Sequence, residues 1–425
     1  MTYDVLVVGA GPAGSSASYW LAQAGHRVLT VEKSTFPRDK TCGDGLTPRA
    51  VHELQRMGLG DTLQRYHRFE GLRATGHGRV LELQWPSHGT FPSYGYVVRR
   101  CDLDAFVADH AVEAGAELRQ ATTAVAPLWE DGRVAGATLK GKDGRYDEVR
   151  ARYVVVCEGA KTTFGRELGT VQNRDFPQGM ALRGYFRSPR HDDPWIESAL
   201  DLRDRNGHSL PGYGWIFPVG NGTINVGVGL LSTFKHYKSI NTTRLLEEYV
   251  ATAPSYWGIS ADTAVGRATG GRLPMGGSVG PKAGPGWLLA GDSAGTVNPF
   301  NGEGIDYALE SGRHAAECFL TEPGTAWAAY QAVLRKEYDP FFATARRFAW
   351  LIGRPKLLQF LLGIALSTNF TMKLVLDIMA NLVDMEHPGL AGRSLTIGGK
   401  ALSLADPLLV RSSAKSKAKS ATPVG

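Results

Sequence analysis

At 425 residues, 43% of them hydrophobic and 21% charged, the chain carries enough apolar material for one large or two modest cores, which excludes disorder as its main state. Its net charge of +6 comes without a recognition module for nucleic acid, so nucleic acid is not an expected partner. Cys42, Cys101, Cys157 and Cys318 show neither paired nor metal-ligand spacing, so no metal is expected and a reducing cytosol is the simpler setting.

Residues Tyr3 to Val8 predict a buried strand, Gly9-Ala10-Gly11-Pro12-Ala13-Gly14 a tight turn, the stretch to Ala24 a helix, and His26 to Val31 a second strand ending at Glu32. In this frame Gly9 permits the turn, Gly11 lets the backbone meet a pyrophosphate, and Gly14 allows close helix-to-strand packing. Pro12 and Ala13 open the helix, whose N-terminal N–H groups suit phosphate. Glu32, with Lys33 beside it, stands where a carboxylate accepts hydrogen bonds from ribose hydroxyls.

Met180 to Phe186 and Trp195 to Leu202 predict further strands. In GYGWIFPV, Tyr213, Trp215 and Phe217 share one face; in GTINVGVGL, Ile224, Val226 and Val228 share one face, with Gly220 to Gly222 as the turn between them. An antiparallel sheet with an aromatic face follows. Trp287 to Ala290 is a short apolar run ending in GDSAG at Gly291. Gly302-Glu303-Gly304 then opens a helix at Ile305, with Leu309, Ala316 and Phe319 at helical spacing. From about Trp327 to Val383 the pattern is helical throughout, and no internal repeat is present.

GDSAG followed by NPFNGEG resembles the second FAD motif of the p-hydroxybenzoate hydroxylase-like flavoproteins. The resemblance implies that Asp292 binds the ribityl chain and that Gly302, Gly304 and Ile305 bring a helix N-terminus to the flavin ring. A helix so aimed stabilises reduced flavin. The family arginine is met by Arg100, with Asp104, in VVRRCDLDAF; the usual Asp-Gly pair of a further motif reads Glu158-Gly159 here. Beyond these motifs, FPRDKTCGDGLTPRAV from Phe36, PGYGWIFP from Pro211 and the Gly227/Gly229 pair resemble the geranylgeranyl reductase family, over residues 1 to about 385. FPSYG, DDPW and NPFNGEGIDY resemble its bacterial menaquinone β-reductase branch, which hydrogenates one isoprene unit of the quinone side chain.

The implied fold is α/β: a Rossmann-like FAD-binding domain with an antiparallel-sheet substrate domain and a C-terminal helical region. The FAD-binding domain is expected over 1–75, 98–177 and 268–325, the sheet domain over 76–97 and 178–267, the helices over 326–400, and a basic, disordered tail over 411–425. No second G-x-G-x-x-G unit follows, so electrons are expected from an external donor instead of a built-in NAD(P)H domain.

An isolated trisubstituted alkene is not electron-poor, so hydride transfer to it needs protonation that develops tertiary cation character. Tyr213, Trp215 and Phe217 are the candidate residues for contacting the isoprenoid lipid or menaquinone, with Tyr213 and Trp215 stabilising that charge by a cation–π effect of order 1 kcal/mol. Ordinary sheet core is the alternative for all three. Cys42 corresponds to a family cysteine near the flavin, so it and Gly43 are placed at the cofactor. Cys42 is the first candidate to donate or orient the proton and Asp44 the second; a small thiol holding a tight turn is the alternative.

No export pattern precedes the first strand, and no apolar run reaches the roughly 18 residues of a spanning helix. A polyprenyl substrate nonetheless requires a bilayer. Phe348 to Ile352, Leu357 to Leu366 and Leu374 to Val383, edged by Arg346, Arg347, Arg354, Lys356 and Lys373, suit an interfacial surface on the inner face of the cell membrane; a helical cap over the FAD domain is the alternative. Rival activities are reduction of geranylgeranyl diphosphate or another prenyl lipid, FAD-dependent monooxygenation or halogenation, and flavin-based redox sensing at a membrane without turnover.

Overall fold

The strand Thr2–Val8 is apolar on both faces because both are covered. Val5 and Val7 pack with the helices Pro12–Gln23 and Ile305–Thr321, while Leu6 and Val8 pack beneath the strand Arg133–Lys140. Thr2–Val8 pairs in parallel with Val28–Val31 on one side and Tyr146–Val156 on the other; Glu117–Arg119 and Trp287–Leu289 extend the parallel run outward. The strand ends that carry Gly9, Glu32, Cys157 and Ala290 thereby converge on one edge, where ligands of such sheets bind. This computed structural model describes residues 2–87 and 89–382.

The second sheet has seven strands, in the order Ala264–Pro274, Gln178–Arg187, Thr223–Leu231, Gly212–Pro218, Trp195–Ala199, Gly71–Gly76 and Arg79–Gln84. Its strands are antiparallel neighbours except Trp195–Ala199 and Gly71–Gly76, which run parallel. One face buries Ile216, Ile224, Val226 and Val228 against the helix Thr242–Thr252. The aromatic residues point to the other face.

Two boundaries differ from expectation. Gly71–Gly76 lies in the second sheet, although expected in the FAD-binding domain, and Ala264–Pro274 runs through the junction expected at 267/268. A half-buried alternating strand fits either sheet, and long-range pairing decides. The continuous helical pattern after Trp327 breaks into Ala326–Glu337, Asp339–Ile352, Pro355–Ala365 and Asn369–Met379, with Pro340 and Pro355 each in the first turn of a new helix. The tail expected at 411–425, and the helical region beyond 382, lie outside the described residues.

Among the described residues no single helix is long and apolar enough to cross a membrane; Asp339–Ile352 and Pro355–Ala365 together have the length and composition but are bent by 114°.

Candidate functional site

Gly9 leaves the first strand and Pro12 begins the helix that follows. Gly14 is the tightest point of this turn: a Cβ there would stand 1.8 Å from the Gly9 carbonyl oxygen, so any side chain would drive the helix off the strand. Gly9, Gly11, Pro12 and Ala13 wall one side of a cleft that Glu32 and the exposed Lys33 close on the other. The Glu32 carboxylate is buried and aimed. It accepts the Ala10 N–H at 3.1 Å and the Ser34 N–H at 3.0 Å, and pairs with Arg38 at 3.4 Å.

Farther along the cleft, Lys40 reaches Asp292 at 3.5 Å, and the side-chain position of Gly304 is 3.5 Å from the other Asp292 oxygen. Asp292 thus joins the GDSAG turn to the N-terminus of Ile305–Thr321, with Ile305 buried at its first position. The N–H groups of a helix N-terminus, two cations and a buried accepting carboxylate form a polar set that fits a dinucleotide.

Arg100 stands elsewhere. Its buried guanidinium grips Asp104 at 2.7 and 2.8 Å and lies beside the Cys42 thiol, so its reach is to the loop that carries Cys42. Asp104 also holds Arg38 at 2.9 Å, which ties that loop to Glu32. Glu158 turns back on its own segment, accepting the Thr162 hydroxyl at 2.7 Å and the Gly165 N–H at 3.3 Å.

Tyr213, Trp215 and Phe217 form a row with centroids 5.9 and 6.3 Å apart. Their partners across the neighbouring strand are Gly229, Gly227 and Asn225. A Cβ at Gly227 would lie 2.1 Å from the Trp215 ring, so this glycine lets the indole lie flat over the adjacent strand. Trp215 is only 5% exposed, and its N–H donates to Asn225 Oδ1 at 2.9 Å. Tyr213 and Phe217 stay partly open. The Tyr213 hydroxyl donates to the Asn301 carbonyl at 2.5 Å, which fastens the row to the glycine loop; Gly43 and Gly45 rest on Phe217.

The loop from Lys40 to Gly45 therefore lies between the row and the dinucleotide cleft. Asn225 donates to the Cys42 carbonyl at 2.9 Å and to Asp44 at 2.8 Å. Asp44 has a left-handed φ of 65° and also accepts the Tyr185 hydroxyl and the Arg100 N–H, at 2.5 and 3.3 Å. Burial pushes its carboxyl up to about 6, against these hydrogen bonds and the Arg183 and Arg100 charges. Three donors converging on one buried carboxyl make Asp44 the pin of the loop. Burial also raises the Cys42 thiol, which Arg100 offsets in part, so Cys42 is a thiol at neutral pH. Cys157 and Cys318 are buried, while Cys101 is half-buried with its thiol near Asp102.

Sequence reasoning passed over Arg38, Lys40, Arg49, Asn225, Glu303 and Asp306. Arg38 and Lys40 stand in FPRDKTCGDG, where two cations beside a cysteine were the available signal. Asn225 interrupts the apolar run of TINVGVGL, and a polar residue inside a buried strand needs partners. Glu303 lies on the glycine loop itself and Asp306 in the first turn of the helix after it.

The FAD binding domain family matches residues 2–320. The chain is 43% identical over 405 residues to a menaquinone reductase of Mycobacterium tuberculosis, covering 95% of this chain and 97% of the relative. It is 33% identical to a digeranylgeranylglycerophospholipid reductase of Methanopyrus kandleri, covering 83% and 91%. The solved structure of a geranylgeranyl bacteriochlorophyll reductase-like protein from Thermoplasma acidophilum shares the fold, with a TM-score of 0.77, 23% identity, and coverage of 94% and 99%.

Proposed function

The chain belongs to the FAD-binding family that includes the menaquinone and digeranylgeranylglycerophospholipid reductases, and from that premise we propose that it reduces one isoprene unit of the menaquinone side chain. It is an FAD-dependent oxidoreductase. Bound FAD, once reduced by an external donor, supplies a hydride to the alkene. In this reading Gly9 to Gly14 meet the pyrophosphate, Glu32 the ribose and Asp292 the ribityl chain. Gly302 and Gly304 receive the flavin ring, and Arg100 holds the Cys42 loop against it.

One observation carries the substrate assignment. The Tyr213–Trp215–Phe217 row starts at the glycine loop, where Tyr213 meets Asn301, and ends at Phe217 against an apolar cluster that includes Phe69, Trp85, Leu366, Met372 and Leu376. An aromatic wall suits a developing tertiary cation, and the apolar cluster suits a polyprenyl chain.

The same helices face two ways. Leu358, Leu366 and Leu376 are buried, whereas Phe360, Ile364 and Phe370 are 64%, 49% and 66% exposed. Arg346 turns inward, donating to the Gly276 carbonyl at 2.5 Å, so the basic edge consists of residues such as Lys356 and Lys373. We place this face on the inner surface of the cell membrane, where apolar side chains beside cations bind anionic lipid. Mass spectrometry of prenyl lipids in cells with and without the protein tests the assignment. A two-hydrogen gain on menaquinone is expected; the same gain on a digeranylgeranyl lipid would move the substrate, added oxygen would mean monooxygenation, and no change would leave redox sensing.

A further inference from the structure

Protonation of an isolated alkene favours an acid stronger than a thiol, yet one still protonated at neutral pH. Buried carboxyls held close together meet both conditions. Such a pair spans the glycine loop and the helix after it, Glu303 half-buried with one oxygen enclosed and Asp306 fully buried. Glu303 lies between Gly302 and Gly304, and Asp306 occupies the first turn of the following helix at 1% exposure. Among the described residues, neither oxygen of Asp306 has a hydrogen-bond partner, and neither has the enclosed oxygen of Glu303. Such carboxyls are costly to bury as anions.

We propose that Glu303, paired with Asp306, holds the proton that the reduction delivers to the alkene, an assignment that rests on the reading of this protein as an isoprenoid reductase. The loop that receives the flavin would then also carry the acid. The Tyr213 hydroxyl donates to the Asn301 carbonyl and stands 3.9 Å from the side-chain position of Gly302, so Glu303, the next residue, adjoins the aromatic row from the glycine-loop side; burial, and then Glu303 and Cys42, raise that hydroxyl. Burial and then the neighbouring Asp306 raise the Glu303 carboxyl, and burial raises Asp306.

The charged groups around the pair explain where the charge goes. Arg49, from the helix Pro48–Arg56, is bound to Glu310 at 2.9 and 2.8 Å, and its charge favours the ionised form of both Glu303 and Asp306. Glu310 and Tyr307 flank Asp306 on its own helix, while Tyr213 faces Glu303 from the sheet and Asn301 reaches it from the loop. When one alkene carbon gains the proton, the pair is left with one added negative charge beside Arg49. The other carbon gains the hydride supplied by reduced FAD, so two electrons pass into the new C–H bond, and solvent reprotonates the pair.

The test uses full-length, FAD-loaded protein and the variants Glu303→Gln and Asp306→Asn. Infrared spectra without substrate should show a protonated carboxyl at neutral pH that Glu303→Gln removes. Anaerobic reoxidation of reduced flavin by menaquinone should slow by about a hundredfold or more in Glu303→Gln. In Asp306→Asn the pH at which reoxidation falls should move down by about one unit or more, because the repulsion that keeps Glu303 protonated is gone. Wild-type reoxidation in Glu303→Gln, or an unmoved pH profile in Asp306→Asn, would overturn the assignment while leaving the reductase reading intact. A wild-type protein that keeps the carboxyl signal but whose reduced flavin no prenyl substrate reoxidises would defeat the reductase reading, and the proton assignment with it. Should Glu303→Gln fail to fold, the Asp306→Asn profile decides.

Discussion

At the Gly9–Glu32 end the cleft is walled largely by main chain and one aimed carboxylate, whereas the neighbouring Cys42–Asp44 loop is held by contacts from Arg100, Tyr185 and Asn225. The first arrangement leaves no room for substitution at Gly9 or Gly14, whose side-chain positions touch backbone. The second is a set of hydrogen bonds and ring contacts, each of which can be lost singly. Changes at the dinucleotide end should therefore cost the fold and the cofactor together, while changes at the other end should separate stability from turnover.

The largest expected effect is Gly14→Ala. Its Cβ would stand 1.8 Å from the Gly9 carbonyl oxygen, and the strain of forcing helix and strand apart should cost about 4 kcal/mol or more. Thermal melting and the flavin retained on purification would show this, and an unchanged variant would remove the contrast between the two ends.

Next is Asp44. Asp44→Ala strands the Tyr185, Asn225 and Arg100 donors, for an expected loss of about 3 kcal/mol in denaturant unfolding. Asp44→Asn adds a pH signature. The carboxyl is raised from 3.8 to about 6, so its contribution to stability is complete below about pH 4 and is lost as pH rises through 6. The stability of the native chain relative to Asp44→Asn should thus fall by up to about 3 kcal/mol between pH 4 and 7. A difference that grows with pH would mean that the carboxylate form is the one the loop needs.

Trp215→Phe keeps the ring but removes the N–H donated to Asn225 at 2.9 Å; about 1–2 kcal/mol of stability should go. Reoxidation of flavin by substrate should slow as well, because Asn225 also orients the Cys42 carbonyl. A loss of stability with full turnover would make the row ordinary core. The smallest effect belongs to Phe370→Glu, on a side chain 66% exposed: the fold should be unchanged, and binding to anionic vesicles should weaken by about 1–2 kcal/mol in a flotation assay.

The same contrast governs what could be read in advance. Strand, glycine turn, helix and acid follow one another within Tyr3 to Glu32, so local spacing revealed the dinucleotide end. The alternation of Tyr213, Trp215 and Phe217 likewise revealed a common face, because side chains of a strand repeat every second residue. It did not reveal that Asn225, 183 residues from Cys42, would hold the loop against that face, nor that Gly71–Gly76 would join the second sheet in parallel. Those contacts depend on which strands become neighbours, and no local period encodes that. Arg100 illustrates the limit. Its place in a motif was visible, but not that Asp104 would hold its guanidinium beside the Cys42 thiol.

FAD held in this cleft is expected to reduce an isoprenoid double bond. Mixing the fully reduced, FAD-loaded protein with menaquinone under anaerobic conditions tests it in one step. Flavin absorbance should return as each equivalent of quinone product gains two hydrogens on its side chain. Flavin that stays reduced until oxygen is admitted, with the side chain unaltered, would contradict it.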